Sequence, residues 1–262
     1  MKKTSVVCVV AVLLMASVAT AATVWNPAAN GIVPPATGDW GVGANWTNDV
    51  PGLADGKAVF NVPDAAECVV TDAQSFNQLV QGDNGPGGVI RVMDGGSLTT
   101  GAVWSGVGYN NTAHVIVETG GSVTFGQHMW VGLQAGGPGI LDIIGGTVRV
   151  SEMIGLGWET GTGFVNVIAG LLDLHNIHAT DSIKGDSVMD IRNGVVTIDG
   201  DHAWKINDYI AAGKIVGFGG EGTVNVDFDV TNAGKTTITA VPEPTTLALL
   251  GLGGLVLRRR RK

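Results

Sequence analysis

Cysteine is nearly missing from this 262-residue chain, which holds only Cys8 and Cys68. Cys8 lies in an apolar run at the extreme N-terminus, so Cys68 alone remains for the body of the protein. One cysteine cannot close an internal disulfide, and the fold must be held by packing. Cys68 stands in the strand-like stretch Glu67-Cys68-Val69-Val70 with no neighbouring base or cation. That context reads as a small buried apolar residue rather than a nucleophile. Basic residues are also scarce, with 15 Lys and Arg against 23 Asp and Glu. Lys2, Lys3, Arg258 to Lys262 and Glu243 all belong to the chain ends, and without them the body carries a net charge of about −14. Such a surface repels nucleic acid and anionic headgroups; a weak affinity for Ca²⁺ is the one ionic role it leaves open. Long apolar runs are missing too. Val6 to Val18 and Thr245 to Leu257 both fall short of the ~20 residues that span a bilayer comfortably. Glycine, by contrast, is plentiful at 41 residues, and its spread through the body disfavours long helices.

The two ends carry targeting patterns. Met1-Lys2-Lys3, the apolar run and the small-x-small sequence Ala19-Thr20-Ala21 follow the order of a secretory signal peptide, cleaved after Ala21. Cys8 lies too early for a lipoprotein anchor. At the other end Pro242-Glu243-Pro244 leads into Thr245 to Leu257 and then Arg258, Arg259, Arg260, Arg261 and Lys262. The terminal cations would be retained on the cytoplasmic side and hold the short apolar helix in the membrane for a time. These three parts in this order resemble the PEP-CTERM sorting signal. The resemblance covers the last twenty or so residues. It implies recognition by an exosortase-type membrane protease, a transiently membrane-anchored form, and delivery to the envelope, outer surface or extracellular matrix of a bacterium that makes exopolysaccharide.

Between the ends runs an internal period. Gly95-Gly96, Gly120-Gly121, Gly145-Gly146, Ala169-Gly170 and Asn193-Gly194 mark turns 25, 25, 24 and 24 residues apart. Each is flanked by runs that alternate apolar and polar, such as Val115-Ile116-Val117 before and Ser122-Val123-Thr124-Phe125 after. Alternation of period two means strands with one face inward, and a fixed period means stacked, mutually dependent coils. The expected fold is all-β, a right-handed parallel β-helix of 24–25-residue coils. A β-sandwich gives no reason for equally spaced glycine turns. Leu98, Val123, Val148, Leu172 and Val196 should form an inward ladder, with Thr99, Thr124, Arg149, Asp173 and Thr197 outward beside it. The expected division is a signal peptide over 1–21, an N-terminal cap and first coils over 22–89, repeats over 90–200, a C-terminal cap over 201–241 and the sorting tail over 242–262. Trp25, Trp40 and Trp46 belong to the first cap, where Gly38-Asp39-Trp40 through Asn45-Trp46 to Pro51-Gly52 resembles the opening of autotransporter-type passengers. The second cap should hold a short helix, with Asp201 as its N-cap, Trp204, Tyr209 and Ile210 on its apolar stripe and Gly213 as its stop.

Catalytic chemistry has little to stand on. Asp142, Asn166 and Asp190 share one repeat position, and Asp173 lies near Arg149, so either set could bind Ca²⁺ or act as an acid/base pair. The simpler reading is that outward strand positions must be polar. Gly136 to Asp142 imperfectly matches a calcium-binding nonapeptide. His175 and His178 fall on opposite faces of a strand. Asp227 and Asp229 alternate with Phe228, as a half-exposed strand would. Gly106-Val107-Gly108 and Gly155-Leu156-Gly157 lack the strand–helix setting of a nucleotide loop. No catalytic, cofactor or metal residue is therefore assigned. The expected function is an exported, non-catalytic structural or adhesive solenoid at the surface or in the matrix. The alternative is a polysaccharide-binding or polysaccharide-cleaving protein on the same scaffold.

Overall fold

The structure, a computed structural model, describes residues 22–54, 56–63, 65–177 and 182–243. The signal segment with Ala19 and Ala21, His178, and the tail from Pro244 through Arg258, Arg259, Arg260 and Arg261 lie outside the described residues. The body is a β-solenoid of about six turns, each coil about 24 residues long. Its strands stack in parallel on three faces. Face A runs from Cys68–Val70 through Gly88–Val92 and Ala113–Val117 to Val188–Ile191 and Ile215–Gly217. Face B holds Ala73–Phe76, Ser97–Thr100, Ser122–Phe125 and Val195–Asp199. Face C holds Thr23–Val24, Lys57–Phe60, Gln78–Gln81, Ser105–Val107 and Met129–Val131. Between them Gly139–Leu156 and Gly163–Ile177 bend round the corners and contribute to all three faces.

The period dictates this pairing. Val123 lies beside Leu98 on one side and Val148 on the other, and Val148, Leu172 and Val196 continue the column. All five are buried. Ile90, Val115, Leu141, Val165 and Met189 do the same from face A, and the columns meet in one continuous core. No coil could bury its inner face alone, so each is stable only between neighbours. The glycine pairs divide two tasks. Gly120 takes φ +80° to turn the corner, and a Cβ on Gly121 would stand 2.6 Å from the Val92 carbonyl oxygen of the coil below. One glycine supplies the left-handed backbone and the other the close approach.

Different devices close the two ends. At the N-terminal end Trp25, Trp40, Trp46, Phe60 and Phe76 are buried together, with centroids 4.8 Å apart for Trp40–Trp46 and 4.9 Å for Trp40–Phe76. At the C-terminal end α1 (Ala203–Ala211) stands, in chain order, where the third strand of a coil belongs. The N-cap is His202 and not Asp201; the Asp201 carboxylate, one residue earlier, accepts the Ala203 N–H at 3.1 Å, and Gly213 ends the helix region at φ +68°. Tyr209 is buried and Ile210 packs against the core as expected, but Trp204 is 59% exposed and Ile206 is buried in its place. Two residues turn a helix by about 200°, so 204 cannot share the face of 206 and 209. The chain then returns to face A and finishes in a hairpin, Gly222–Phe228 with Lys235–Pro242. Its second strand lies antiparallel on Val195–Asp199 and so ends the parallel stack of face B. No helix among the described residues is long and apolar enough to cross a membrane.

Candidate functional site

The C-terminal hairpin is where the chain leaves the body. Val241 and Pro242 are still paired with Thr223 and Gly222, and the Glu243 N–H donates to the Glu221 carbonyl at 3.2 Å. Val241, Pro242 and Glu243 are all exposed. The hairpin's pairing thus includes Pro242, and Pro242 and Glu243 stand exposed at the solenoid's C-terminal end.

The carboxylate ladders are built as their spacing requires, and they are internally satisfied. Asp142, Asn166 and Asp190 stand side by side in successive coils of face A. Asp142 Oδ2 meets His114 Nε2 at 2.8 Å, and its Oδ1 accepts from Asn166 Nδ2 at 2.7 Å. Burial works to raise the Asp142 pKa, but the His114 and Asn166 hydrogen bonds outweigh it and hold the carboxyl below the usual range. Asp190 accepts from Arg192 Nε at 2.9 Å and from the Gly219 N–H at 2.8 Å. Above this ladder Arg91 bridges Glu67 and Glu118. On face B, Asp173 accepts from Arg149 Nη1 at 2.9 Å, Thr197 Oγ1 at 2.7 Å and Lys235 Nζ at 2.7 Å. Asp173 and Thr197 face outward as the register requires but are buried, because this network closes over them. Carboxylates so engaged tie one coil to the next.

The remaining candidates come apart. Cys68 is fully buried, and that burial, with Asp39 and Glu67 nearby, pushes its thiol pKa well up, opposite to what a nucleophile needs. The turn containing Gly136 packs its backbone on Asn110, and no acid lines the hollow beside it. His175 Nδ1 meets Asp199 Oδ2 at 2.9 Å, far from a metal set. The Asp227 and Asp229 carboxylates accept turn N–H groups from Thr231 and Gly234. Both Gly-x-Gly sequences lie at strand ends on face C. Among the described residues no three His, Cys, Asp or Glu side chains converge on a metal position.

A further grouping is aromatic. On the outside of face C, Val80, Gly106, Trp130 and Gly155 form one column. Trp104 and Tyr109 stack at 5.7 Å and 25°, both within 3.6 Å of where a Cβ on Gly106 would stand. Trp130 lies against Gly155, where any side chain would collide with its ring, and packs 4.6 Å from Trp158. Lys184 sits over Trp158 at 3.9 Å. The signal available is Trp130 with a glycine, Gly106 or Gly155, at its position in each neighbouring coil.

A solenoid body followed by a sorting sequence defines an exported, sorted protein. Residues 240–262 match the PEP-CTERM protein-sorting motif. The motif marks an exported protein that is transiently membrane-anchored and processed by an exosortase, itself a membrane enzyme. No curated protein and no solved structure matches the chain.

Proposed function

We propose that this protein is a non-catalytic structural or adhesive element of the bacterial surface or extracellular matrix, displayed as a rigid β-solenoid after processing at both ends. The observation that carries this reading is the C-terminal exit: the last strand is paired up to Pro242, so the sorting motif, which begins at residue 240, starts within the paired hairpin. The ladder carboxylates Asp142, Asp173 and Asp190 are engaged in coil-to-coil bonds, which suits a scaffold better than an acid/base site. Protein recovered from the native envelope and medium should begin at Ala22 and end near Pro244 by intact mass and peptide mapping. A mature form that still carries Arg258 to Lys262 overturns the processing. Turnover of a polysaccharide that disappears in Asp142→Ala overturns the non-catalytic role.

A further inference from the structure

The aromatic residues divide into two populations. Trp25, Trp40 and Trp46 fill the N-terminal core, whereas Trp104, Tyr109, Trp130 and Trp158 are half-buried on the outside of face C. A solenoid needs nothing but polar or small residues there, so these rings are not explained by the fold. Trp104, Trp130 and Trp158 come from three successive coils, and the register places Gly106 beside Trp130 and Trp130 beside Gly155. Two coil spacings carry the rings about 10 Å along the axis. The glycines keep the floor beneath them low.

The ring stripe opens at one corner into a groove of about 670 Å³, lined by Lys57, Asn77, Gln78, Trp104 and Gln127. These three amides, one ammonium and one indole share the lining with Ala22, Gly56, Ala102 and Val103. No carboxylate is among the lining residues, although acids outnumber bases in the chain 23 to 15. Amides donate and accept, an ammonium donates, and an indole offers a flat apolar face. A pyranose ring has that same division: C–H groups on one face and hydroxyls round the edge. The Gln78 amide already donates to the Trp104 carbonyl at 2.8 Å, but an apolar partner would leave Asn77, Gln127 and Lys57 unpaired. Nucleic acid is repelled by the surrounding acidic surface.

We propose that the Trp104 groove and the adjoining ring stripe of face C bind a polysaccharide chain, with a sugar ring stacked on Trp104 and its hydroxyls held by Asn77, Gln127 and Lys57. This goes beyond the scaffold reading and does not depend on it: a protein that binds no sugar can still be sorted and displayed.

The test is isothermal titration of the exported protein with two probes, a glucose hexamer and a galacturonate hexamer. Saturable binding of either hexamer is expected, and Trp104→Ala should weaken it about tenfold or more. Gln127→Ala, in the same groove from the next coil, should weaken it less, and Trp204→Ala on α1 should leave it unchanged. A galacturonate preference that vanishes in Lys57→Gln would identify an acidic chain, and equal binding of both hexamers a neutral one; both support the site. Circular dichroism establishes that each variant keeps its β-structure, and Gln127→Ala serves as the reading if Trp104→Ala does not. Absence of binding by both hexamers up to ~10 mM overturns the proposal, as does binding that is undiminished in both groove variants.

Discussion

The two ends of the solenoid are closed by different chemistry. Five buried rings shut the N-terminal end, where Trp25 Nε1 donates to the Ala66 carbonyl at 3.0 Å and Trp46 Nε1 to the Trp40 carbonyl at 2.8 Å. The C-terminal end is shut by α1 and a hairpin, and the hairpin is fastened by charge. Lys235 Nζ reaches Asp173 Oδ1 at 2.7 Å and Asp199 Oδ1 at 2.8 Å, with Arg149 and His175 at the edges. The first closure rests on buried area, which pH does not touch. The second adds partly exposed ion pairs, which salt and protons weaken. The weaker fastening lies beside the strand that leads into the sorting motif.

The widest gap between the ends should show on removing a ring. Trp40 is fully buried between Trp46, Phe60 and Phe76. Trp40→Ala is expected to cost about 3–5 kcal/mol in denaturant unfolding and to release strand 57–60 to amide exchange first. Trp40→Phe should cost far less than Trp40→Ala. The Trp40 Nε1 has no hydrogen-bond partner among the described residues, so its loss leaves no acceptor stranded. A loss below 1 kcal/mol for Trp40→Ala would mean that the rings fill space without closing the end.

At the other end the central acceptor is Asp173. Asp173→Ala removes the shared partner of Arg149, Thr197 and Lys235 and should cost about 1–3 kcal/mol. Lys235 keeps Asp199, so the hairpin should loosen without detaching. Hydrogen exchange should rise across 235–242 and stay unchanged across 57–60. Equal changes at both ends would show the solenoid to be one cooperative unit and erase the distinction between its closures.

How much of this was legible beforehand depends on what each feature needs. The coils were legible because stacking forces the same residue type to recur every 24 or 25 positions, as at Val123 and Val148. The ladder Asp142–Asn166–Asp190 was legible for the same reason. Its partners were not: His114 and Arg192 stand off the ladder's own repeat position and reach the acids through side-chain length. The antiparallel return of Lys235–Pro242 left no periodic trace, since alternation does not record strand direction. Trp204 is apolar and near the helix start, but it lies about 200° round the helix from Ile206, which its residue type does not reveal. The stripe on face C is harder to read because Trp104, Trp130 and Trp158 occupy different positions in their coils, and the register sets only Trp130 against Gly106 and Gly155.

The smallest difference between the ends should appear on titration. Hydrogen bonds from Lys235 and then His175 hold the Asp199 carboxyl below its usual pKa, and hydrogen bonds to Asp173 and then Asp199 raise that of Lys235. A depressed carboxylate contributes stability above its unfolded pKa of about 3.9 and loses it as pH falls through the lower folded value. A raised ammonium contributes below its unfolded value of about 10.4 and loses it as pH rises through the higher folded one. The fastening is therefore complete between about pH 4 and 10 and fails outside that window from either side. Asp199 and Lys235 are both about a third exposed, so solvent screening limits the effect to about 1 kcal/mol or less. Amide exchange of 235–242, corrected for intrinsic rates, should accelerate on going from pH 6 to below pH 3.5, while 57–60 stays protected. Added salt at pH 6 should produce a fainter copy of the same pattern, since screening weakens the pairs without removing their hydrogen bonds. If the two segments loosened together in acid, the hairpin would be held by its backbone pairing with Val195–Asp199 and the charges would be incidental.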